Sequence, residues 1–390
     1  MFSIYAPSTI MLCLVCLRPR FDFLTISALA NLIYFSPLIF GKDGWQQDLN
    51  IEIYFTYLII SLSHIIYLIS LKSTLKQPPK KMKETDISSL LYFSKTISIL
   101  NFLFVVIFYG MSEIFANKVG SNISSANILL WRVATTFYFC TSIILTRNFD
   151  TFLSFVLLIF LFFTGDRTGI VLSMLAGLII FSTYLQKNKF WYLNIVFILP
   201  GILIGILGIF GKAIYASITS QVISDSLINV DIIRAVMSTE PFFTQLIFNE
   251  IVNFEYRISS WYLLLLPISV LPLGLIGFSS SYFNSQFQSS LFPWMKEGTM
   301  AYNYWAEGYA NFGFSGIILF VVFYFLILFF IEREHLKGNI FSILLLILGT
   351  YLVFYIQRNS IFSIISYLKH FIYFFLGYMA ALEIFKKKNA

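Results

Sequence analysis

WAEGYANFGFSGIILFVVFYFLILFFI, residues 305–331, carries the decision about the fold. From Phe314 to Ile331 no charged residue occurs, and roughly 18 apolar residues is the length that crosses a bilayer as an α-helix. Lipid offers no partners to backbone N–H and C=O groups, so such a run must be helical, and alternating strands are too few for a barrel. Directly before it, Trp305-Ala306-Glu307-Gly308-Tyr309-Ala310-Asn311-Phe312-Gly313 closes a stretch, Gly211 to Gly313, that separates this run from the preceding one. A protein that only moves a solute needs short turns between its helices. A long loop bearing arginines, carboxylates and aromatics points instead to chemistry or recognition at the membrane surface.

The rest of the chain repeats the pattern. Its 390 residues are 58% hydrophobic and 12% charged, where soluble domains are nearer half and a quarter, so an all-α polytopic membrane protein is expected. Apolar runs predict about 11 transmembrane helices, at 1–17, 21–40, 51–71, 88–114, 126–146, 151–164, 168–186, 190–210, 314–331, 340–357 and 361–385. Three parts follow: helices one to eight in 1–210, one large loop at 211–313, and helices nine to eleven with a basic tail in 314–390. Within the loop, 258–278 (ISSWYLLLLPISVLPLGLIGF) is long enough to span, but Pro267 and Pro272 interrupt it, which favours a re-entrant or interfacial segment. The first run has no cationic region before it and no cleavage pattern after it, and is expected to be a span.

Charge sets the orientation. With the terminal Lys386, Lys387 and Lys388 in the cytoplasm, that face holds fifteen Lys and Arg, including Arg18, Arg20, Lys72, Lys76, Lys80, Lys81 and Lys83, and the short loops opposite hold four. The loop is therefore expected to be external, and periplasmic in a bacterial inner membrane. The net charge of +7 is spent on topology and on anionic lipid, so nucleic acid is not an expected partner. Cys13, Cys16 and Cys140 lie within apolar runs and read as small core residues.

Arginines mark the external face. Thr164-Gly165-Asp166-Arg167-Thr168-Gly169 joins two runs there, with glycines that let the chain turn sharply and set Arg167 at headgroup depth. A guanidinium in that position suits a diphosphate, since its planar fork binds phosphate oxygens bidentately and keeps its charge when partly desolvated. The alternative is an Asp166–Arg167 pair that merely closes a hairpin. Arg132 lies near the external end of its run, Arg358 sits in the turn Gln357-Arg358-Asn359-Ser360, and Arg257 stands just before Ile258, so all three are candidates for the same anionic head group. Lys95, Lys369 and His370 fall inside runs, and Lys95 is expected to snorkel to the cytoplasmic surface. Trp305, Glu307, Tyr309 and Asn311 combine aromatic faces with planar hydrogen-bonding groups and read as a carbohydrate surface, the alternative being an interfacial aromatic belt. No P-loop, no dinucleotide fingerprint, no metal-ligand cluster and no nucleophile elbow occurs, so neither cofactor nor metal is expected.

These residues resemble bacterial O-antigen polymerases of the Wzy type. The resemblance rests on the plan of spans with one large external loop, on Gly165-Asp166-Arg167-Thr168-Gly169, and on Glu307-Gly308-Tyr309-Ala310-Asn311-Phe312-Gly313-Phe314-Ser315-Gly316. It implies a glycosyltransferase that moves a growing glycan from undecaprenyl diphosphate to the hydroxyl of a new lipid-linked repeat unit, with a chain-length regulator protein as a further partner. Arg167, with Arg132 or Arg257, would stabilise the departing diphosphate, and Glu307 would accept the hydroxyl proton or orient the acceptor. Two alternatives stay open. An O-antigen ligase shares the architecture, but resembles its kin in a histidine within the large loop, and His64, His335 and His370 all lie outside it. A lipid-linked oligosaccharide flippase would have short external loops and charge lining its spans.

Overall fold

In a computed structural model the described residues are 2–17, 21–71, 82–115, 122–185, 199–204, 239–271, 282–294 and 302–388. Helices account for nearly all of them. They are α1 (Phe2–Cys16), α2 (Phe23–Tyr34), α3 (Pro37–Phe40), α4 (Ile51–Leu71), α5 (Glu84–Phe108), α6 (Met111–Phe115), α7 (Ser125–Ile144), α8 (Asn148–Phe163) and α9 (Arg167–Ile180) in the first part. Then come α10 (Glu240–Asn253), a 3-10 turn (Ser260–Leu265) running into α11 (Leu266–Ser269), α12 (Tyr282–Leu291), α13 (Tyr304–Phe312), α14 (Phe314–His335), α15 (Phe341–Tyr355) and α16 (Ile361–Lys388). Among the described residues only an isolated bridge, Lys42 to Asp48, has strand pairing.

Among the described residues, seven helices are long and apolar enough to cross a membrane: Phe23–Phe40, Ile51–Ser70, Glu84–Phe108, Ser125–Ile144, Arg167–Tyr184, Phe314–His335 and Ile361–Ile384. Ser3–Cys16, Asn148–Phe163 and Phe341–Tyr355 are shorter apolar helices beside them. The chain is thus a multi-pass helical membrane protein. Every predicted run except 190–210 falls on a helix, and most of that run lies outside the described residues, as do 211–238, 272–281 and 295–301 of the expected loop. The described parts of 239–294 are short helices, and 260–271 does not make a straight span. Lys369 Nζ donates to the Leu271 carbonyl at 3.2 Å and Tyr373 donates to that of Val270. Lys369 is eight residues into α16, so Leu271 sits about 12 Å along that helix from its start.

Helices α2 and α7 are the most enclosed of the spans, 72% and 67% buried over their apolar windows, and α9 and α15 pack with them. Burial makes their polar groups conspicuous. Tyr324 donates to Ser27 Oγ at 2.7 Å, and Ser27 Oγ lies 2.9 Å from His64 Nε2, tying α14, α2 and α4 together. Toward the other end of α7, Lys95 Nζ and the Tyr138 hydroxyl both reach Asp150 Oδ1 at 2.7 Å. This corrects the expectation for Lys95: it does not simply snorkel, because a carboxylate on the neighbouring helix pairs with it.

The short segment before α14 is folded back upon it. Gly313 has φ +68°, a left-handed conformation that ends α13 and starts α14 without a loop. The two helices then touch backbone to backbone: a Cβ on Gly316 would stand 2.0 Å from the Gly308 carbonyl oxygen, and one on Gly308 would stand 3.0 Å from that of Gly316. Small residues at this crossing are a packing necessity. Gly316→Ala is expected to cost several kcal/mol, about 3 or more, because backbone cannot yield as a side chain does. Loss of the monodisperse peak in detergent size exclusion checks it; an unchanged peak and melting temperature would refute the packing argument.

Candidate functional site

The turn from Ile356 to Ser360, between α15 and α16, is where two groups of polar residues meet. On one side α13 is fastened to it by three bonds. The Tyr304 N–H donates to the Ile356 carbonyl at 3.1 Å, Trp305 Nε1 donates to Gln357 Oε1 at 3.2 Å, and the Ile361 N–H donates to Glu307 Oε2 at 2.8 Å. Gln357 continues inward, its Nε2 donating to Asn31 Oδ1 at 2.9 Å. Asn303 starts α13 as an N-cap, its Oδ1 accepting from the Ala306 N–H at 2.7 Å.

Glu307 is fully buried. Its Oε1 accepts from the Tyr262 hydroxyl at 2.7 Å, and Asn311 Nδ2 donates to the same hydroxyl at 2.8 Å and to the Glu307 carbonyl at 2.8 Å. Burial pushes the Glu307 carboxyl up to about 7, even though Tyr262 and the Ile361 N–H both favour its ionised form. Oε2 sits at the N-terminus of α16, where a helix favours negative charge. The carboxylate therefore joins three elements: α13, the 3-10 turn and α16.

On the other side of the turn lies an arginine cluster. Arg358 Nη1 is 3.0 Å from Glu240 Oε1, at the first residue of α10, and the Tyr34 hydroxyl donates to that oxygen at 2.8 Å. The Arg358 guanidinium lies over the Tyr355 ring at 5.6 Å. Tyr355 stacks on Tyr351 at 4.5 Å, Tyr351 meets Tyr367 at 5.5 Å, and Arg132 lies over Tyr367 at 5.4 Å. Arg132 Nε donates to Asp166 Oδ2 at 2.5 Å, and its Nη1 is buried without a hydrogen-bond partner. Asp166 also caps α9 through the Thr168 N–H at 3.1 Å, and the Thr168 side chain hydrogen-bonds Tyr355. Arg167, the first residue of α9 and partly exposed, stands between these two. Two guanidiniums, Arg132 and Arg358, thus lie along one ladder of tyrosines, each paired with a carboxylate, and Arg132 keeps Nη1 free of hydrogen bonds. That is a setting for an anion with several oxygens.

The structure thus joins Arg132, Arg358 and the Arg167 turn, but places Glu307 and Asn311 on the opposite side of the 356–360 turn. The expected carbohydrate surface needs correction. Trp305 has no exposed area, Tyr309 and Asn311 are buried, and α13 faces the core because its amphipathic side meets α14 and α10. Arg257 stands apart as well. Its Nη1 donates to the Tyr309 carbonyl at 3.2 Å and its guanidinium covers the Tyr309 ring at 4.6 Å, which holds the C-terminal end of α13. The Asp166–Arg167 hairpin pair is replaced by Asp166 with Arg132.

Tyr34, Tyr262 and the Tyr351–Tyr355–Tyr367 ladder are absent from the reading of the sequence. One clue was available: Tyr351 and Tyr355 are four apart in an apolar run and so share a helix face. Glu240 before Pro241 reads as an ordinary helix start. Comparison with protein-family models, with curated proteins and with solved structures gives no match.

Proposed function

We propose that the chain is an O-antigen polymerase of the bacterial inner membrane, a glycosyltransferase acting at the periplasmic face on undecaprenyl-diphosphate-linked repeat units. The observation that carries the reading is the pair Arg132 and Arg358 around buried tyrosines, with Asp166 tying the turn that carries Arg167 to Arg132. Buried cations in a membrane protein are costly and serve binding or chemistry by default. In the transfer, the acceptor hydroxyl oxygen bonds to the anomeric carbon, the bond from that carbon to the diphosphate breaks, and the hydroxyl proton passes to an oxygen of the released diphosphate. The diphosphate keeps the bonding electrons, so charge grows on its oxygens, where preorganised donors stabilise most. Arg132 Nη1 has a donor to spare, and Arg358 lies at the far end of the Tyr355–Tyr351–Tyr367 ladder from it. The sugar–phosphate bond supplies the energy, so no nucleotide is required.

Glu307 takes a different part from the one expected. With both oxygens bonded and no exposed surface, it positions the 356–360 turn, and with it Arg358, rather than touching the acceptor. The test of the function is lipopolysaccharide from a deletion strain, run on a gel. The expected result is core carrying a single repeat unit. Lipid-linked polymer left unattached would mean a ligase, and repeat units trapped on the cytoplasmic side would mean a flippase.

A further inference from the structure

Beside the arginine cluster, the described loop residues carry a second pattern. The hairpin between α3 and α4, residues 41–50, is closed by the Lys42–Asp48 bridge and ion pair at 2.8 Å. At its centre Asp43 is fully buried. Its Oδ1 accepts from the Trp45 and Gln47 N–H groups at 2.8 and 3.0 Å, and its Oδ2 accepts from Asn249 Nδ2 at 2.9 Å. The Gly44 N–H donates to the Phe242 carbonyl at 3.2 Å, and the Asn50 N–H donates to Asn249 Oδ1 at 2.9 Å. These bonds clamp the hairpin to α10, so its tip is held by rigid elements.

That tip presents two indoles. Trp45 is 40% exposed and Trp294, after α12, is 63% exposed; their rings lie 6.1 Å apart with planes at 33°. Phe292 backs both, edge-on to Trp45 at 5.6 Å and to Trp294 at 5.8 Å. Gln46, next to Trp45 and exposed, has φ +62°, a left-handed conformation that glycine or asparagine would adopt at less cost. Its carboxamide follows Trp45 directly in the chain.

The surroundings select the ligand. Pyranose rings offer an apolar face to an indole and hydroxyls to planar amides, and both are present here. Among the described residues here, Asp43, Asp48 and Glu250 outnumber Lys42, a balance that disfavours an anionic headgroup or diphosphate. Lysines and arginines favour a tryptophan anchor for anionic lipid, and in the described hairpin Lys42 is already paired with Asp48. The place also fits. Phe242, which holds the hairpin, and Glu240, which holds Arg358, belong to the same first turn of α10.

We propose that Trp45 and Trp294, with Gln46 following Trp45 in the chain, form a stacking subsite for a neutral glycan strand. The identity of that strand as the polymer leaving the arginine cluster rests on the function proposed above. The test uses the full-length protein in detergent and, as probe, lipid-free glycan released by mild acid from the surface polysaccharide of the producing cell, titrated by tryptophan fluorescence. Trp294→Ala is expected to raise the Kd about fivefold or more, Trp45→Ala likewise, and Trp261→Ala, at another exposed indole, not at all. Trp294 packs less than Trp45, so its variant keeps the test clear of misfolding. Wild-type affinity in both variants overturns the proposal. So does a membrane anchor, read in nanodiscs of brominated lipid as quenching of Trp294 equal to that of Trp261. Binding is measured without turnover, so a polymerase reading that fails on the gel leaves it standing, and intact polymer without tryptophan-dependent binding removes the subsite alone.

Discussion

Arg132→Lys is expected to leave the protein folded and to reduce polymer formation about a hundredfold, the scale of losing one preorganised donor to a developing anion. Arg132 uses Nε for Asp166 and leaves Nη1 buried and without a partner. Lysine can supply the charge to Asp166 but not a second donor in a fixed plane. Arg132→Ala is a harsher change. It leaves Asp166 facing only the Thr168 N–H and breaks a buried ion pair, at about 3–5 kcal/mol. That variant should be lost from the membrane fraction, so it cannot by itself separate function from folding. The informative comparison is Arg132→Lys with Arg257→Lys. Arg257 is exposed and holds the end of α13, so its lysine variant should keep a normal ladder of chain lengths. The measurement is the lipopolysaccharide ladder at matched protein level. A wild-type ladder from Arg132→Lys would remove Arg132 from the anion site.

The spans were readable in the sequence because the bilayer leaves one option for a long apolar run. Runs such as 126–146 and 314–331 need no tertiary context to be helices. The pairings inside the bundle needed that context. Arg132 finds Asp166 34 positions away, and Lys95 finds Asp150 55 positions away, and nothing local distinguishes those carboxylates from others. The stretch from Glu307 to Gly316 was visible as a pattern, but its cause is spatial: Gly308 and Gly316 let two helices touch, and Gly313 turns between them. Trp305 shows the opposite failure. A tryptophan just outside a span reads as interfacial, since that is where tryptophans gather. Here the turn at 356–360 offers Gln357 to its indole N–H and Tyr324 to its ring, which turns the side chain inward. Which face of a nine-residue helix is covered depends on neighbours far away in the chain.

Glu307 gives the sharpest separation between positioning and proton transfer. Glu307→Ala is expected to abolish long polymer, because it removes the carboxylate that accepts from the Tyr262 hydroxyl and the Ile361 N–H and frees the turn that carries Arg358. Each such bond lost in a buried site costs about 1–3 kcal/mol. Glu307→Gln keeps the shape and one acceptor, so polymer should persist at reduced length. Proton transfer through Glu307 requires the opposite, with glutamine as inactive as alanine. A second readout is independent of polymer. The folded carboxyl, at about 7, lies above its usual value near 4.3. Its stabilising contribution is complete below that usual value, falls as pH rises, and is gone once pH passes about 7, a change of order 3 kcal/mol. The melting temperature of the purified protein should therefore drop from pH 5 to 7.5, and the glutamine variant should lose that part of the slope. Equal slopes in the two proteins would show that Glu307 is ionised throughout, and a glutamine variant without polymer would return it to direct contact with the acceptor.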